Sequence, residues 1–121
     1  MNVIYRPRKL GRIPREIKDP EGEFMDLAAI PVQDLGGNHP RRVILQDESG
    51  EIVWTLWDED AKNDRKIADL MGKCILIRNG IVKYFPGFEG EWQVKKPLES
   101  IRTDLALKRM QMVQDWYDKE E

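Results

Sequence analysis

The stretch from Val43 to Trp57 constrains the fold of this chain more tightly than any other. Val43-Ile44-Leu45 is a largely β-branched apolar run that leads into the turn formers Asp47-Glu48-Ser49-Gly50. Beyond them Ile52, Trp54 and Leu56 alternate with Val53, Thr55 and Trp57. This is the pattern of two strands joined by a tight turn. Successive side chains on a strand point to opposite faces, so Ile52, Trp54 and Leu56 are expected in a core while Val53, Thr55 and Trp57 line the other face. A one-residue slip would exchange the faces, so in either register one indole points away from the core.

The segments before the hairpin are less regular. Residues 1–21 contain Pro7, Gly11, Pro14 and Pro20, and their apolar residues Val3, Ile4, Leu10, Ile13 and Ile17 show no clean period. They read as a basic N-terminal arm with a short edge strand at Asn2 to Tyr5. Phe24 to Gln33 reads as a long strand that must bulge, bend or lie at an edge at Pro31, because proline cannot donate to a ladder. Leu35 to Pro40 is a loop, leading through Arg41-Arg42 into the hairpin.

After the hairpin, Asp58 to Met71 is polar with Ile67, Leu70 and Met71 at helical spacing, so a short helix ending at Gly72 is expected. Lys73 to Phe85 returns to strand character. Its Asn79-Gly80 is either a hairpin turn or a bulge within one long bent strand. Glu91 to Val94 reads as a final short strand. Residues 97–121 read as a C-terminal amphipathic helix capped by Ser100, with Ile101, Leu105, Met112 and Trp116 on one stripe and Ala106, Met110, Val113 and Tyr117 on its neighbour. Such a stripe either packs back on the preceding domain or bundles with helices of other subunits, and a Met- and Trp-bearing stripe after a complete barrel favours the intermolecular role.

The charge is unevenly placed. The chain of 121 residues has a net charge of −2. Residues 1–18 nevertheless carry Arg6, Arg8, Lys9, Arg12, Arg15 and Lys18 against Glu16, whereas the last eight carry Asp115, Asp118, Glu120 and Glu121 against Lys119. A basic arm suits nucleic acid and an acidic tail suits a protein partner, although both are also simply solvated in many proteins. No apolar run approaches the ~18 residues of a membrane span, and the N-terminus has no continuous apolar leader, so an intracellular protein is expected. The single cysteine, Cys74, lies in the apolar run Cys74-Ile75-Leu76-Ile77 and is expected to be buried.

Three strands, a short helix and two strands is the order of an all-β, five-stranded OB barrel with its helix between strands 3 and 4, here over residues 22–96 and followed by the C-terminal α-helix. Within that span Leu45 to Ile52 followed by Thr55-Leu56-Trp57 resembles the second and third strands of the single-stranded DNA-binding OB folds of replication protein A and the small archaeal single-stranded DNA-binding proteins. Asn79 to Phe85 with Gly87 is similar to their fourth strand. The resemblance implies a protein that coats or protects exposed strands in replication, recombination or repair, in the cytoplasm or nucleoid of a prokaryote rather than a nucleus. It also implies that Trp57 and Phe85 stack on bases, with Ile81 where archaeal members often carry an aromatic.

The physical reading runs parallel. Binding a single strand needs flat π faces and positive charge. Trp57, Phe85 and the loop residue Phe88 offer faces, and Arg41, Arg42, Arg78 and Lys83 offer phosphate contacts. The rival is a structural OB subunit with weak or no nucleic-acid binding, assembled through Ile101, Leu105, Met112 and Trp116. An RNA-binding OB protein is a third, weaker alternative, because nothing in the sequence reports on contact with a 2′-hydroxyl. No enzyme, metal or cofactor is expected. The lone His39 has no cysteine partner or serine motif, Asp58-Glu59-Asp60 reads as a helix start, and Gly36-Gly37 and Gly87 are isolated turn glycines.

Overall fold

The computed structural model describes residues 5–17, 19, 21–87 and 90–120. A 3₁₀ turn at Leu10–Arg12 runs into α1 (Ile13–Glu16), followed by β1 (Glu23–Gly36), β2 (Arg41–Asp47) and β3 (Gly50–Leu56). After a second 3₁₀ turn come α2 (Asp64–Leu70), β4 (Ile75–Phe85), β5 (Glu91–Lys95) and finally α3 (Lys108–Lys119). The strands close in the order β1-β2-β3-β5-β4, with β3 and β5 parallel and the other pairs antiparallel. This is the OB barrel with a helix between its third and fourth strands.

The hairpin register is the one the alternation predicts. Ile52, Trp54 and Leu56 are buried in the barrel, and the Trp54 indole donates to the Lys96 carbonyl at 2.9 Å. The turn is held by Asp47, whose Oδ1 accepts from the Ser49 amide at 2.7 Å, the Ser49 hydroxyl at 2.6 Å and the Gly50 amide at 3.1 Å. β1 shifts register between Pro31 and Gln33, so the missing proline donor falls at an irregularity. Asn79-Gly80 is a bulge in one long strand. Asn79 adopts φ 53°, its amide donates to Asp26 Oδ1 at 2.9 Å, and a Cβ on Gly80 would stand 2.7 Å from methyls of Ile77 and Val94.

The core has two parts. Leu27, Ala29, Val43, Leu45, Trp54, Ile75, Ile77, Val82 and Val94 fill the barrel, and Ala28, Ile30, Cys74 and Leu76 face outward beneath Met110 and Val113 of α3. Covering both faces explains why β1 is a continuous apolar run from Leu27 to Val32 rather than an alternating one.

Two expectations are corrected. The N-terminal segment, expected as an irregular basic arm, packs into the barrel over part of its described length. Leu10 and Ile13 are buried in the barrel core, the Leu10 amide donates to Asp47 Oδ2 at 2.9 Å, and the Gly11 amide donates to Ser49 Oγ at 2.9 Å. Any side chain at Gly11 would collide with the Ser49 carbonyl, so glycine is what permits this approach. Of the edge strand expected at Asn2 to Tyr5, only Tyr5 lies within the described residues.

The C-terminal helix also starts later than expected. Ser100 ends a 3₁₀ turn, its hydroxyl donating to the Pro97 carbonyl at 2.8 Å, and Arg102 then pairs with Leu76 through reciprocal backbone bonds of 2.8 and 3.3 Å. That pairing keeps Arg102 in an extended bridge, and a turn at Leu105 and Ala106 then leads into the helix at Lys108. Ile101 therefore packs on the barrel core and Leu105 is exposed, so neither belongs to a helical stripe. The buried stripe of α3 is the neighbouring one, Met110 and Val113 with Tyr117 beside them, and it packs on this chain's own barrel. Gln114 secures the contact, accepting from the Cys74 amide at 2.7 Å and donating to the Gly72 carbonyl at 3.2 Å. Trp116 packs against the same cluster, so α3 docks on its own barrel, while Leu105 and Met112 of the expected stripe are left exposed.

Candidate nucleic-acid interface

The outward face of the barrel is organised by register. Phe24 pairs with Ile81, Ile81 with Lys95, Lys95 with Thr55 and Thr55 with Arg42, so one row of outward positions crosses all five strands. Strands lie about 4.8 Å apart, so Phe24 and Thr55 are separated by roughly 14 Å along this row. A second row runs Lys83, Gln93, Val53 and Ile44.

Between the rows and Trp57 lies a groove of about 290 Å³, lined by Glu21, Thr55, Trp57, Ile81, Lys83, Gln93 and Lys95. A second hollow of about 190 Å³ lies against Trp57, with Lys95, Lys96 and Asp60 among its lining residues. Trp57 itself is half-buried. Its Nε1 donates to Thr55 Oγ1 at 3.3 Å, His39 meets it edge-on at 5.0 Å between ring centroids, and Lys95 Nζ lies 5.4 Å from its centroid. The ammonium of Lys95 thus sits by the indole while its long stem leaves it free to follow an incoming phosphate.

The structure brings Trp57, Ile81 and Lys83 together and places Phe85, 38% exposed, two residues further along β4 on the same face. Phe88 lies outside the described residues. Arg41 is engaged elsewhere, donating to Asp34 Oδ1 at 3.2 Å, to the Ala61 carbonyl at 3.0 Å, and to Asp64. The hydrogen bond from Arg41 holds the Asp34 carboxyl below its usual range, and the two carboxylates raise the guanidinium above its own. Arg42 bonds Glu91, with Nε 3.2 Å from Oε2. Arg78 lies apart from the groove, its guanidinium 5.4 Å from the Tyr5 ring centroid. Of the four cations expected at the interface, Lys83 lines the groove, Arg41 and Arg42 are engaged with carboxylates, and Arg78 lies apart from it.

Three groove-side residues were missed. Lys95 and Gln93 were legible by alternation, since Val94 points inward and its neighbours must point out. Among the described residues Phe24 is the most exposed large apolar side chain, at 71%, although its local sequence marks it only as the start of a strand. It stands directly across from Ile81, so an aromatic occupies the neighbouring strand at the level where β4 carries an aliphatic.

Closed five-stranded topology, an inter-strand helix and an outward groove over β3, β5 and β4 define an OB-fold domain. No family model matches the chain, and no curated protein matches it. Solved structures share its fold. The p204 HINb domain superposes with a TM-score of 0.57 at 12% identity over 75% of this chain, which spans 42% of that one. The OB domain (residues 67–166) of MM0293 from Methanosarcina mazei gives a TM-score of 0.52 at 24% identity, over 81% of this chain and 85% of that one. Among the described residues no helix is long and apolar enough to cross a membrane, and no group of three or more His, Cys, Asp or Glu could hold a metal ion.

Proposed function

We propose that this OB domain binds single-stranded nucleic acid, DNA in the first place, across its outward face, and that it coats or protects exposed strands in replication, recombination or repair. The observation that carries the reading is the groove in which Trp57 stands beside Lys95 and Lys83, with Ile81 and Phe24 continuing the row across β4 and β1. Bases stack on the indole and on Phe24, phosphates are met by the two lysines, and Phe85 extends the stacking surface along β4. The mechanism is binding without bond chemistry.

Titration of intrinsic tryptophan fluorescence with oligo-dT, at low and then moderate salt, tests it. Trp54 is fully buried, so quenching by a stacked base reports mainly on the less buried indoles. Saturable quenching that weakens with salt is expected. Trp57→Ala should cost about 1–3 kcal/mol of binding, with Phe24→Ala losing a share of the same order, and neither should alter the far-ultraviolet circular dichroism. No quenching by folded wild-type protein, or undiminished affinity in Trp57→Ala, would remove the proposal. Parallel titration with oligo-rU decides between DNA and RNA.

A further inference from the structure

The other concentration of positive charge lies at the opposite end of the β2–β3 hairpin from Trp57. There the N-terminal segment and the start of α3 enclose a cleft of about 410 Å³ lined by Arg6, Arg8, Lys9, Arg12, Glu16 and Arg109, with Pro7 as its one apolar residue. The cations stand on a fixed frame. Arg8 N donates to the Asp26 carbonyl at 2.8 Å, and the Leu10 and Gly11 amides are tied to Asp47 and Ser49 as described above.

The charges in the cleft do not cancel. Arg8 pairs with Glu16 at 2.8 Å, and Arg109 pairs with Asp47 at 3.0 Å and Glu48 at 2.6 Å. Arg6, Lys9 and Arg12 have no carboxylate partner among the described residues, although the whole protein is net negative. Behind them the Arg109 Nε is buried without a hydrogen-bond acceptor among the described residues. Holding like charges together costs free energy that a bound anion relieves.

The geometry points to a phosphate-binding site in this cleft, separate from the strand face. An acidic peptide would be expected to find apolar anchoring pockets beside the charge, and this cleft has none. Guanidinium forks instead match the paired oxygens of a phosphate, and a preordered frame reduces what binding must immobilise. The phosphate is either that of a nucleic-acid backbone or that of a free phosphorylated compound.

Two probes distinguish them, inorganic pyrophosphate by calorimetry and oligo-dT by fluorescence, each with wild-type protein and with the variant Arg6→Gln/Lys9→Gln/Arg12→Gln. These side chains are exposed, so the variant should keep its circular dichroism. The control variant Arg65→Gln/Lys66→Gln/Lys73→Gln removes the same charge from exposed positions elsewhere. The expected result is one saturable pyrophosphate site in wild type and in the control, weakened on the order of tenfold or more in the cleft variant. If oligo-dT binding in the cleft variant also shows a log-log salt slope smaller by about 2, the backbone is the source; an unchanged slope assigns the site to a free phosphorylated compound. Absence of saturable pyrophosphate binding together with an unchanged oligo-dT salt slope overturns the inference, as does equal weakening in the control. Neither failure touches the strand-face reading, which stands or falls on Trp57→Ala.

Discussion

Replacing Asp47 should be the most damaging single substitution outside the apolar core. The residue is 3% exposed, and its carboxylate accepts five hydrogen bonds, from the Ser49 amide and hydroxyl, the Gly50 amide, the Leu10 amide and Arg109 Nη2. It thereby joins the hairpin turn, the N-terminal segment and α3 at one atom pair. Asp47→Ala leaves the buried Leu10 N–H without an acceptor, at about 1–3 kcal/mol, and strips Arg109 of one of its two carboxylates. Breaking a buried ion pair costs roughly 3–5 kcal/mol and the losses overlap, so about 4 kcal/mol is expected, a large part of the 5–15 kcal/mol typical of a domain. Asp47→Asn should do little better, because an amide NH₂ would then face donors on one side or the other. Equilibrium urea unfolding followed by circular dichroism measures this. Since both single variants break the same pair, Asp47→Ala and Arg109→Ala should combine less than additively. A loss below about 1 kcal/mol for Asp47→Ala, with an unchanged urea slope, would refute the role of Asp47 as the tie between these segments.

Asp34 contributes stability through Arg41, and its folded-state pKa is held below the ordinary 3.8. That contribution is complete above the unfolded value and is lost as pH falls through the depressed folded one, so the stability gap between wild type and Asp34→Asn should narrow in acid, measured by urea unfolding from pH 7 to 2. Burial pushes the Cys74 thiol up to about 12, so a disulfide reagent at pH 8 should label it only as fast as the protein opens; rapid labelling would mean that α3 docks loosely. Met110→Ala should cost about 2–5 kcal/mol of stability without changing the mass seen by light scattering, whereas a fall in mass with the fold intact would restore an intermolecular role for the helix.

The barrel was legible because its signals are local and periodic. Alternation from Ile52 to Leu56 set the faces of β3, and the Asp47–Gly50 turn set the hairpin register. Pro31 marked a register shift, and Gly80 marked a bulge whose alternative, a hairpin turn, differs only in whether the strand continues to pair beyond it. What the chain did not show locally was pairing between distant segments. Nothing near Ser100 indicates that Arg102 will pair with Leu76 and delay the helix, and the aperiodic Leu10 and Ile13 become core residues only because a barrel end is there to receive them.

The arginines show the same limit more sharply, and it bears on function. Arg41 and Arg42 sit on the strand nearest the resembled motif, yet each is matched by carboxylates from elsewhere in the chain: Asp34 and Asp64 for one, Glu91 for the other. On the proposed reading phosphate would compete with those partners, whereas at Lys83 and Lys95 it would enter an open groove. In a protein of net charge −2, attraction for a polyanion depends on where positive charge is left uncompensated rather than on how much there is. The groove beside Trp57 and the cleft at Arg6, Lys9 and Arg12 are two such places, at opposite ends of one hairpin whose seven-residue β3 spans about 23 Å. A strand held at both would follow the hairpin along its length, and the salt slope of oligo-dT binding would then carry a contribution from each end.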